Sequence, residues 1–227
     1  MKPIIVFDMD GVLVDVSESY RETIQQTVRH FTGQTISREA IQDFKNQGGW
    51  NDDWKLSHHI ITGAGVAVTL EEVIEFFQGL FLGRNGTPGL ILREEWVAKP
   101  GVLERLLEDY RFAVFTGRIR EEAELTLNRF VPGMPFDPIV GMRDVVNHKP
   151  APDGLLQIAA ANPEAAICYV GDTVDDARSA RAAGLPFIGI AAPSNPRYID
   201  LVFLFQAEKA IAIIDDINYL KEVLDEA

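Results

Sequence analysis

The chain has 227 residues, 47% of them hydrophobic and 24% charged, so it is long and apolar enough to fold around a sizeable core. Its formal net charge of −13 argues against nucleic acid or an anionic membrane surface as a partner. No apolar run approaches the roughly 20 residues that cross a bilayer, and the first apolar stretch is too short for a signal peptide. We therefore expect a cytoplasmic protein without a membrane segment.

The first predicted element is a buried strand over Ile4–Phe7 that runs into two acidic residues. Asp8 and Asp10 follow the strand, and Gly11 allows the chain to turn away from them. Ligands of open α/β sheets bind beyond the carboxyl ends of the strands. Two neighbouring carboxylates there favour a bound cation or a shared proton. A turn with solvated acidic side chains is the alternative.

Helices are predicted to follow, four of them between residues 16 and 82. Their apolar residues recur at helical spacing. Asn51 is predicted to cap the third helix, and Thr69 with Glu72 matches a capping box at the start of the fourth. Residues 90–92 are predicted to form either a short strand or an extended strut.

Strands and helices alternate in the remainder of the chain. The predicted strands cover residues 112–115, 138–140, 166–170 and 187–190, and a terminal helix is predicted near residues 207–224. Such alternation predicts a parallel sheet with helices on both faces. The sequence thus predicts a doubly wound α/β core formed by residues 1–15 and 96–227, with a helical domain of residues 16–95 inserted after the first strand. The single cysteine, Cys168, is predicted to be a small core residue of a strand.

The predicted strand ends carry the residue types that a phosphate site needs. In chain order they are Asp8 and Asp10, then Thr116 with Gly117 and Arg118, then Lys149 before a helix, and finally Asp172 with Asp175 and Asp176. Because parallel strands end at one rim, we expect these groups to converge. Carboxylate oxygens suit Mg²⁺, and a lysine with backbone N–H groups suits a phosphoryl group. The sequence has no His and Cys cluster of the kind that binds zinc.

Four motifs in this order resemble those of the haloacid dehalogenase (HAD) superfamily. The motifs are Asp8-Met-Asp-Gly-Val, Phe-Thr116-Gly-Arg, Lys149-Pro-Ala-Pro and Gly-Asp172-Thr-Val-Asp-Asp. One alone would be weak, but together they span the chain. The helical insertion resembles the type 1 cap of the phosphatase branch, which includes phosphoglycolate phosphatases and β-phosphoglucomutases. The resemblance implies an Mg²⁺-dependent phosphatase of a small phosphorylated metabolite that works through an aspartyl-phosphate.

The resemblance also implies a role for each motif residue. Asp8 would be the nucleophile, and Asp10 the general acid and then the base. The Asp8 carboxylate, the Asp10 backbone carbonyl and the Asp172 carboxylate would bind Mg²⁺.

Phosphate binding is implied for a second group of residues. This group consists of Thr116, Gly117 and Lys149. Arg118 is a further candidate for a contact with phosphate or substrate, with a surface position as the alternative. Asp176, one helical turn after Asp172, is expected to orient Lys149 or a metal-bound water. Asp175 is the alternative, and spacing alone does not decide between the two.

The helical domain is expected to select the substrate, because the core would bind only the phosphoryl group. The candidate residues are Trp50, Asn51 and Lys55, with simple packing of the domain as the alternative for the tryptophan. A phosphomutase of the same superfamily is the alternative activity. Asp10 argues against a dehalogenase, and the helical insertion argues against a phospho-accepting signalling module.

Overall fold

The computed structural model describes residues 2–226 and combines a parallel sheet, covered by helices on both faces, with a group of four helices that follows the first strands. The strands are β1 (Ile4–Phe7), β2 (Val14–Asp15), β3 (Gly83–Arg84), β4 (Thr87–Pro88), β5 (Glu95–Trp96), β6 (Arg111–Phe115), β7 (Phe136–Val140), β8 (Ile167–Gly171), β9 (Phe187–Ile190) and β10 (Ala212–Ile214). The α-helices are α1 (Tyr20–Thr32), α2 (Arg38–Gln47), α3 (Asp53–Gly63), α4 (Leu70–Phe81), α5 (Val102–Asp109), α6 (Arg120–Phe130), α7 (Asp153–Ala161), α8 (Val174–Ala183), α9 (Tyr198–Ala207) and α10 (Leu220–Glu226).

The main sheet has six strands in the order β10-β9-β8-β1-β6-β7, and all neighbours are parallel. Strand β1 is flanked by β6 and β8, with Phe7 opposite Val114 on one side and Val170 on the other. The chain first builds β6 and β7 on one side of β1 and then returns to build β8, β9 and β10 on the other. The switch point between β1 and β8 is where open α/β sheets bind ligands. The predicted doubly wound fold is confirmed.

Both faces of β1 are buried in apolar packing. Ile5 and Phe7 belong to one hydrophobic cluster, and Ile4 and Val6 belong to another on the opposite face. Successive residues of a strand point to opposite faces, so four consecutive apolar residues are what a strand covered on both sides requires.

Helices α1 to α4 form the predicted helical group. Their buried residues, including Ile24, Val28 and Phe77, pack together, and the rings of Tyr20 and Phe81 lie 4.1 Å apart. The predicted capping box at the start of α4 is present. Strands β2 and β5 pair antiparallel where the chain leaves and re-enters the sheet region. They coincide with the predicted domain boundaries, which stay a prediction.

Three local predictions are wrong. The cap of α3 is Asp52, whose side chain accepts hydrogen bonds from the backbone N–H groups of Trp54 and Lys55, and not Asn51. Residues 90–92 belong to a short 3-10 helix, Leu90–Arg93, rather than to a strand or a strut. The predicted terminal helix is replaced by α9, β10, a 3-10 turn and α10, because the short apolar segment of β10 pairs with β9 at the sheet edge.

No helix within residues 2–226 has both the length and the apolar character that a bilayer span requires.

Candidate active site

Asp8, Thr116 and Asp172 each follow the last residue of a neighbouring strand, namely β1, β6 and β8. Since these strands are parallel, the three side chains meet at one rim of the sheet. The backbone N–H of Asp8 donates to the carbonyl of Val170 at 2.8 Å, which continues the strand pairing to the edge of the site. The structure therefore brings together residues of the first, second and fourth motifs.

Gly11 brings the turn after β1 close to Asp172. It has φ +73°, and a Cβ built on it would lie 2.0 Å from Oδ2 of Asp172. A side chain at this position would meet both backbone strain and the carboxylate. The glycine thus allows the Asp8–Asp10 turn to approach the end of β8.

Lys149 lies buried between two carboxylates. Its Nζ donates to Oδ1 of Asp176 at 2.7 Å and lies 3.0 Å from Oδ1 of Asp8 without hydrogen-bond geometry. The Tyr169 hydroxyl also donates to Asp176, at 2.7 Å. Asp176 is therefore the acid that contacts Lys149. Asp175 instead accepts the backbone N–H of Gly49 from the helical group, at 2.8 Å and 2.9 Å to its two oxygens.

The pKa values of Asp8, Asp172 and Asp176 indicate that the positive charge of Lys149 does not balance the three carboxylates. Burial raises the pKa of Asp8 from 3.8 to about 7 despite the nearby ammonium of Lys149. Burial, with the charges of Asp8 and Asp176, also raises the pKa of Asp172 well above its usual value. Burial opposes ionisation of Asp176 too, but Lys149 and two hydroxyl donors hold its pKa below 3.8. Lys149 thus stabilises Asp176 more than it stabilises the other two acids.

The arrangement of these oxygens fits a divalent metal ion. One oxygen each from Asp8, Asp172 and Asp176 lies within 4.8 Å of the others. The Oδ1 atoms of Asp8 and Asp172 are buried and accept no hydrogen bond from the described residues. Unpartnered buried carboxylate oxygens are costly unless a cation neutralises them, and hard oxygen donors are the ligands of Mg²⁺ and Ca²⁺. The Asp176 oxygens already accept hydrogen bonds, so Asp8 and Asp172 are the pair left to bind a metal.

Arg118 is not a surface residue, because only 2% of it is exposed. Its Nε donates to Oδ1 of Asp10 at 2.7 Å, and its Nη2 lies 2.8 Å from a carboxylate oxygen of Glu94. Its Nη1 donates to the hydroxyl of Thr126, which in turn donates to Glu94. The guanidinium therefore orients the Asp10 carboxylate. Its nitrogen atoms contact Asp10, Glu94 and Thr126 rather than a phosphate.

A second buried glutamate joins this cluster to the helical group. The Tyr20 hydroxyl donates to Glu122 at 2.6 Å, and the Gln78 amide donates to its other oxygen at 2.8 Å. Arg118 lies 4.9 Å from the centre of the Tyr20 ring. Burial raises the pKa of Glu122 and also that of Glu94. The sequence analysis missed both glutamates, because neither lies at a strand end and only the tertiary fold buries them.

The predicted phosphate-binding groups lie at different depths. Thr116 is 1% exposed, and its hydroxyl accepts the backbone N–H of Arg118 at 3.2 Å. Gly117 lies at the surface of the cleft between the sheet rim and the helical group. A Cβ on Gly117 would lie 2.4 Å from the side-chain amide of Asn51, so the loop before α3 touches the rim directly.

Of the three residues of the helical group that were predicted to select the substrate, only one lines the cleft. Asn51 lines it, whereas Trp50 packs against the rings of Phe44 and His59. Lys55 points outward, with 57% of its side chain exposed, and pairs with Asp52. The expectation that Trp50 and Lys55 contact a substrate is therefore not supported, because Asp52 caps α3 and directs Lys55 to the surface.

Two cationic residues that were not predicted from the sequence also line the cleft. Lys45 forms a largely buried ion pair with Asp53, the first residue of α3. Arg21, on the first turn of α1, is half-buried and lines the same cleft. Neither position carries a motif, and only the packing of α1 and α2 against the rim brings them there.

The chain is similar to a protein family, to individual proteins and to solved structures. A family model described as haloacid dehalogenase-like hydrolase matches residues 3–184. An imidazoleglycerol-phosphate dehydratase of Phytophthora nicotianae is 36% identical over 84% of this chain, which spans 44% of that relative. A phosphoglycolate phosphatase of Cereibacter sphaeroides is 27% identical, with 82% of this chain and 83% of the relative covered. A crystal structure of a haloacid dehalogenase-like protein of unknown function from Agrobacterium tumefaciens has a TM-score of 0.73 at 20% identity, covering 100% of this chain and 99% of its own.

Proposed function

Since the chain belongs to the haloacid dehalogenase-like hydrolases, we propose that it is a magnesium-dependent phosphatase of a small phosphorylated metabolite. The observation that carries the proposal is the pair of buried carboxylates of Asp8 and Asp172. Their Oδ1 atoms accept no hydrogen bond from the described residues, and one lysine, Lys149, forms an ion pair with Asp8 and with Asp176. Relatives named phosphoglycolate phosphatase share this core over most of their length, which supports phosphomonoester hydrolysis.

The metal would be held by Asp8, Asp172 and the backbone carbonyl of Asp10. When bound, it would offset the negative charge that otherwise repels an anionic phosphate from an anionic nucleophile. Its charge would also allow both buried carboxylates to ionise near neutral pH. Mg²⁺ is proposed because all the available ligands are oxygens.

Asp8 is proposed as the nucleophile. One of its oxygens forms a bond to phosphorus while the bond to the leaving oxygen breaks, which gives an aspartyl-phosphate and the free alcohol. Lys149, held by Asp176, keeps a positive charge beside Asp8 as negative charge builds up on the phosphoryl oxygens. The backbone N–H of Gly117 and the Thr116 hydroxyl are the further donors at this rim.

Asp10 is proposed to carry the proton in both half-reactions. It protonates the leaving oxygen, then takes a proton from the water that hydrolyses the aspartyl-phosphate, so phosphate is released and Asp8 is restored. All its contacts with Arg118 involve Oδ1, so Oδ2 is the oxygen available for proton transfer. Arg118 would thus fix the direction in which Asp10 faces.

The proposal is tested by measuring phosphate release from a panel of phosphomonoesters with Mg²⁺ and with EDTA. The panel includes 2-phosphoglycolate, imidazoleglycerol phosphate and hexose phosphates. Asp8→Asn should abolish turnover, and Asp10→Asn should abolish it while Mg²⁺ still binds. Activity that survives Asp8→Asn or EDTA would contradict the mechanism.

A phosphomutase is the alternative that the same site permits. It would convert one hexose phosphate isomer into another without releasing phosphate. Analysing the products of the same incubations separates the two activities.

A further inference from the structure

Arg21 is the uncommitted cation of the cleft. Its side chain makes no hydrogen bond and no ion pair with any residue in the described range 2–226, although its charge acts on Asp172. The other cations at the site are neutralised within the protein. Lys45 is paired with Asp53, Arg118 with Asp10 and Glu94, and Lys149 with Asp8 and Asp176.

The backbone that carries Arg21 is firmly held. Arg21 follows Tyr20, which is 6% exposed and fixed through its hydroxyl to Glu122. The backbone N–H of Arg21 donates to the carbonyl of Val16 at 3.1 Å. The helix turn therefore fixes where the Arg21 side chain starts, and the planar guanidinium at its end can bind an anion bidentately.

The position of Arg21 relative to the rim indicates which part of a substrate it would meet. The groups proposed for the phosphoryl end, Thr116, Gly117 and Lys149, all come from the sheet side. Arg21 comes from the helical group, as does Asn51, which lines the same cleft. With the phosphoryl group bound at the sheet rim, as proposed, the leaving part of the substrate would extend toward the side of the cleft formed by the helical group.

We propose that Arg21 binds a second anionic group on the leaving part of the substrate, either a carboxylate or a second phosphate. This inference rests on the proposed phosphatase function. It assigns the substrate class as small phosphomonoesters with two anionic ends, and it makes Arg21 a specificity residue. The carboxylates of the site repel an anion, whereas the guanidinium of Arg21 attracts it. Arg21 would therefore favour a substrate with a second anionic group over a neutral analogue of the same size.

The test compares three esters of similar size in the wild type, Arg21→Gln and the control Arg29→Gln. The esters are 2-phosphoglycolate, the bisphosphate of ethane-1,2-diol, and 2-hydroxyethyl phosphate, which has no second charge. Arg29 lies on the same helix but is exposed and does not line the cleft. Arg21→Gln should raise the KM for whichever doubly anionic ester the wild type prefers by about tenfold to a hundredfold, as expected for a charge-assisted pair. It should change kcat/KM for 2-hydroxyethyl phosphate by less than about twofold, and Arg29→Gln should change neither.

The two doubly anionic esters distinguish a carboxylate from a phosphate as the preferred second anion. An equal loss on charged and neutral esters would show that Arg21 serves the phosphoryl group or Asp172 instead, and would overturn the inference. A wild type that prefers the neutral ester would overturn it as well. In both cases hydrolysis itself continues, so the proposed function stands. If neither doubly anionic ester is hydrolysed while other phosphomonoesters of the wider panel are, this inference is overturned and the proposed function stands. Absence of hydrolysis across the whole panel would instead refute the proposed function and this inference with it.

Binding without turnover gives an independent readout. In the Asp8→Asn background, 2-phosphoglycolate with Mg²⁺ should raise Tm, and the added Arg21→Gln change should remove most of that shift. An undiminished shift would contradict the role of Arg21.

Discussion

Without its metal, the protein should become less stable as the pH rises from about 4 to about 7, because Asp8 must ionise in a buried position. Burial raises the pKa of Asp8 from 3.8 to about 7. The folded protein therefore retains the Asp8 proton in a pH range where the unfolded chain has lost it. Stability falls with pH between these two values and is constant above the higher one.

The expected size follows from the shift of the Asp8 pKa. A rise from 3.8 to about 7 is about three units, and at about 1.36 kcal/mol per unit the cost of ionising Asp8 is on the order of 4 kcal/mol. For a chain of this size, about 1 kcal/mol changes Tm by about 2–4 °C, so the expected loss is about 10 °C. A bound divalent cation would remove most of this cost, because it favours the ionised carboxylate.

Thermal unfolding at pH 5 and pH 8, each with EDTA and with saturating Mg²⁺, measures the effect. With EDTA, Tm should be lower at pH 8 than at pH 5, and Mg²⁺ should raise Tm more at pH 8. Other groups also titrate in this range, so Asp8→Asn is the control in which the Asp8 contribution is absent. A pH dependence with EDTA that is the same in the wild type and in Asp8→Asn would refute the reasoning.

Other expected outcomes concern the groups around the metal pair. Arg118→Met should lower the free energy of unfolding by about 3–5 kcal/mol in urea titrations, because it leaves Glu94 buried without its cation. Adding Glu94→Gln should recover part of that loss, and no recovery would argue against the ion pair as the cause. Asn51→Ala should raise the KM of the best substrate by about fivefold, the equivalent of one hydrogen bond of about 1 kcal/mol, with a smaller effect on an aryl phosphate. Lys55→Ala should leave the KM for both substrates unchanged, and an equal effect of the two variants would contradict the placement of Asn51 in the cleft.

The main sheet could be predicted from local patterns alone. Four apolar residues before Asp8 indicate a strand buried on both faces, and alternation of strands and helices beyond residue 96 indicates a parallel sheet. The C-terminal part could not be predicted in this way. The strand β10 lies within an apolar run of five residues, 210–214, and a run of that length does not distinguish a strand from part of a helix until β9 pairs with it.

The residues at strand ends could also be selected from sequence, because parallel strands must finish at one rim. Their individual partners could not. Asp175 and Asp176 are adjacent in sequence. Only the fold places Asp175 against the loop after α2, at Gly49, and Asp176 against Lys149. For Arg118 the sequence left open a contact with phosphate or substrate and a surface position, whereas its partner Glu94 is 24 positions away in a segment without a motif.

The sequence by itself determined five of the six strands of the main sheet, the helical group and the set of acids at the rim, because these depend on periodicity and on the shared direction of parallel strands. The tertiary structure alone decided how charge is distributed at the site. It pairs Lys45 with Asp53 and Arg118 with Asp10 and Glu94, and among residues 2–226 it gives the Arg21 side chain no ion pair. The physical reason is that an ion pair depends on distance and burial, and residues far apart in the chain acquire both only when the helices pack against the rim.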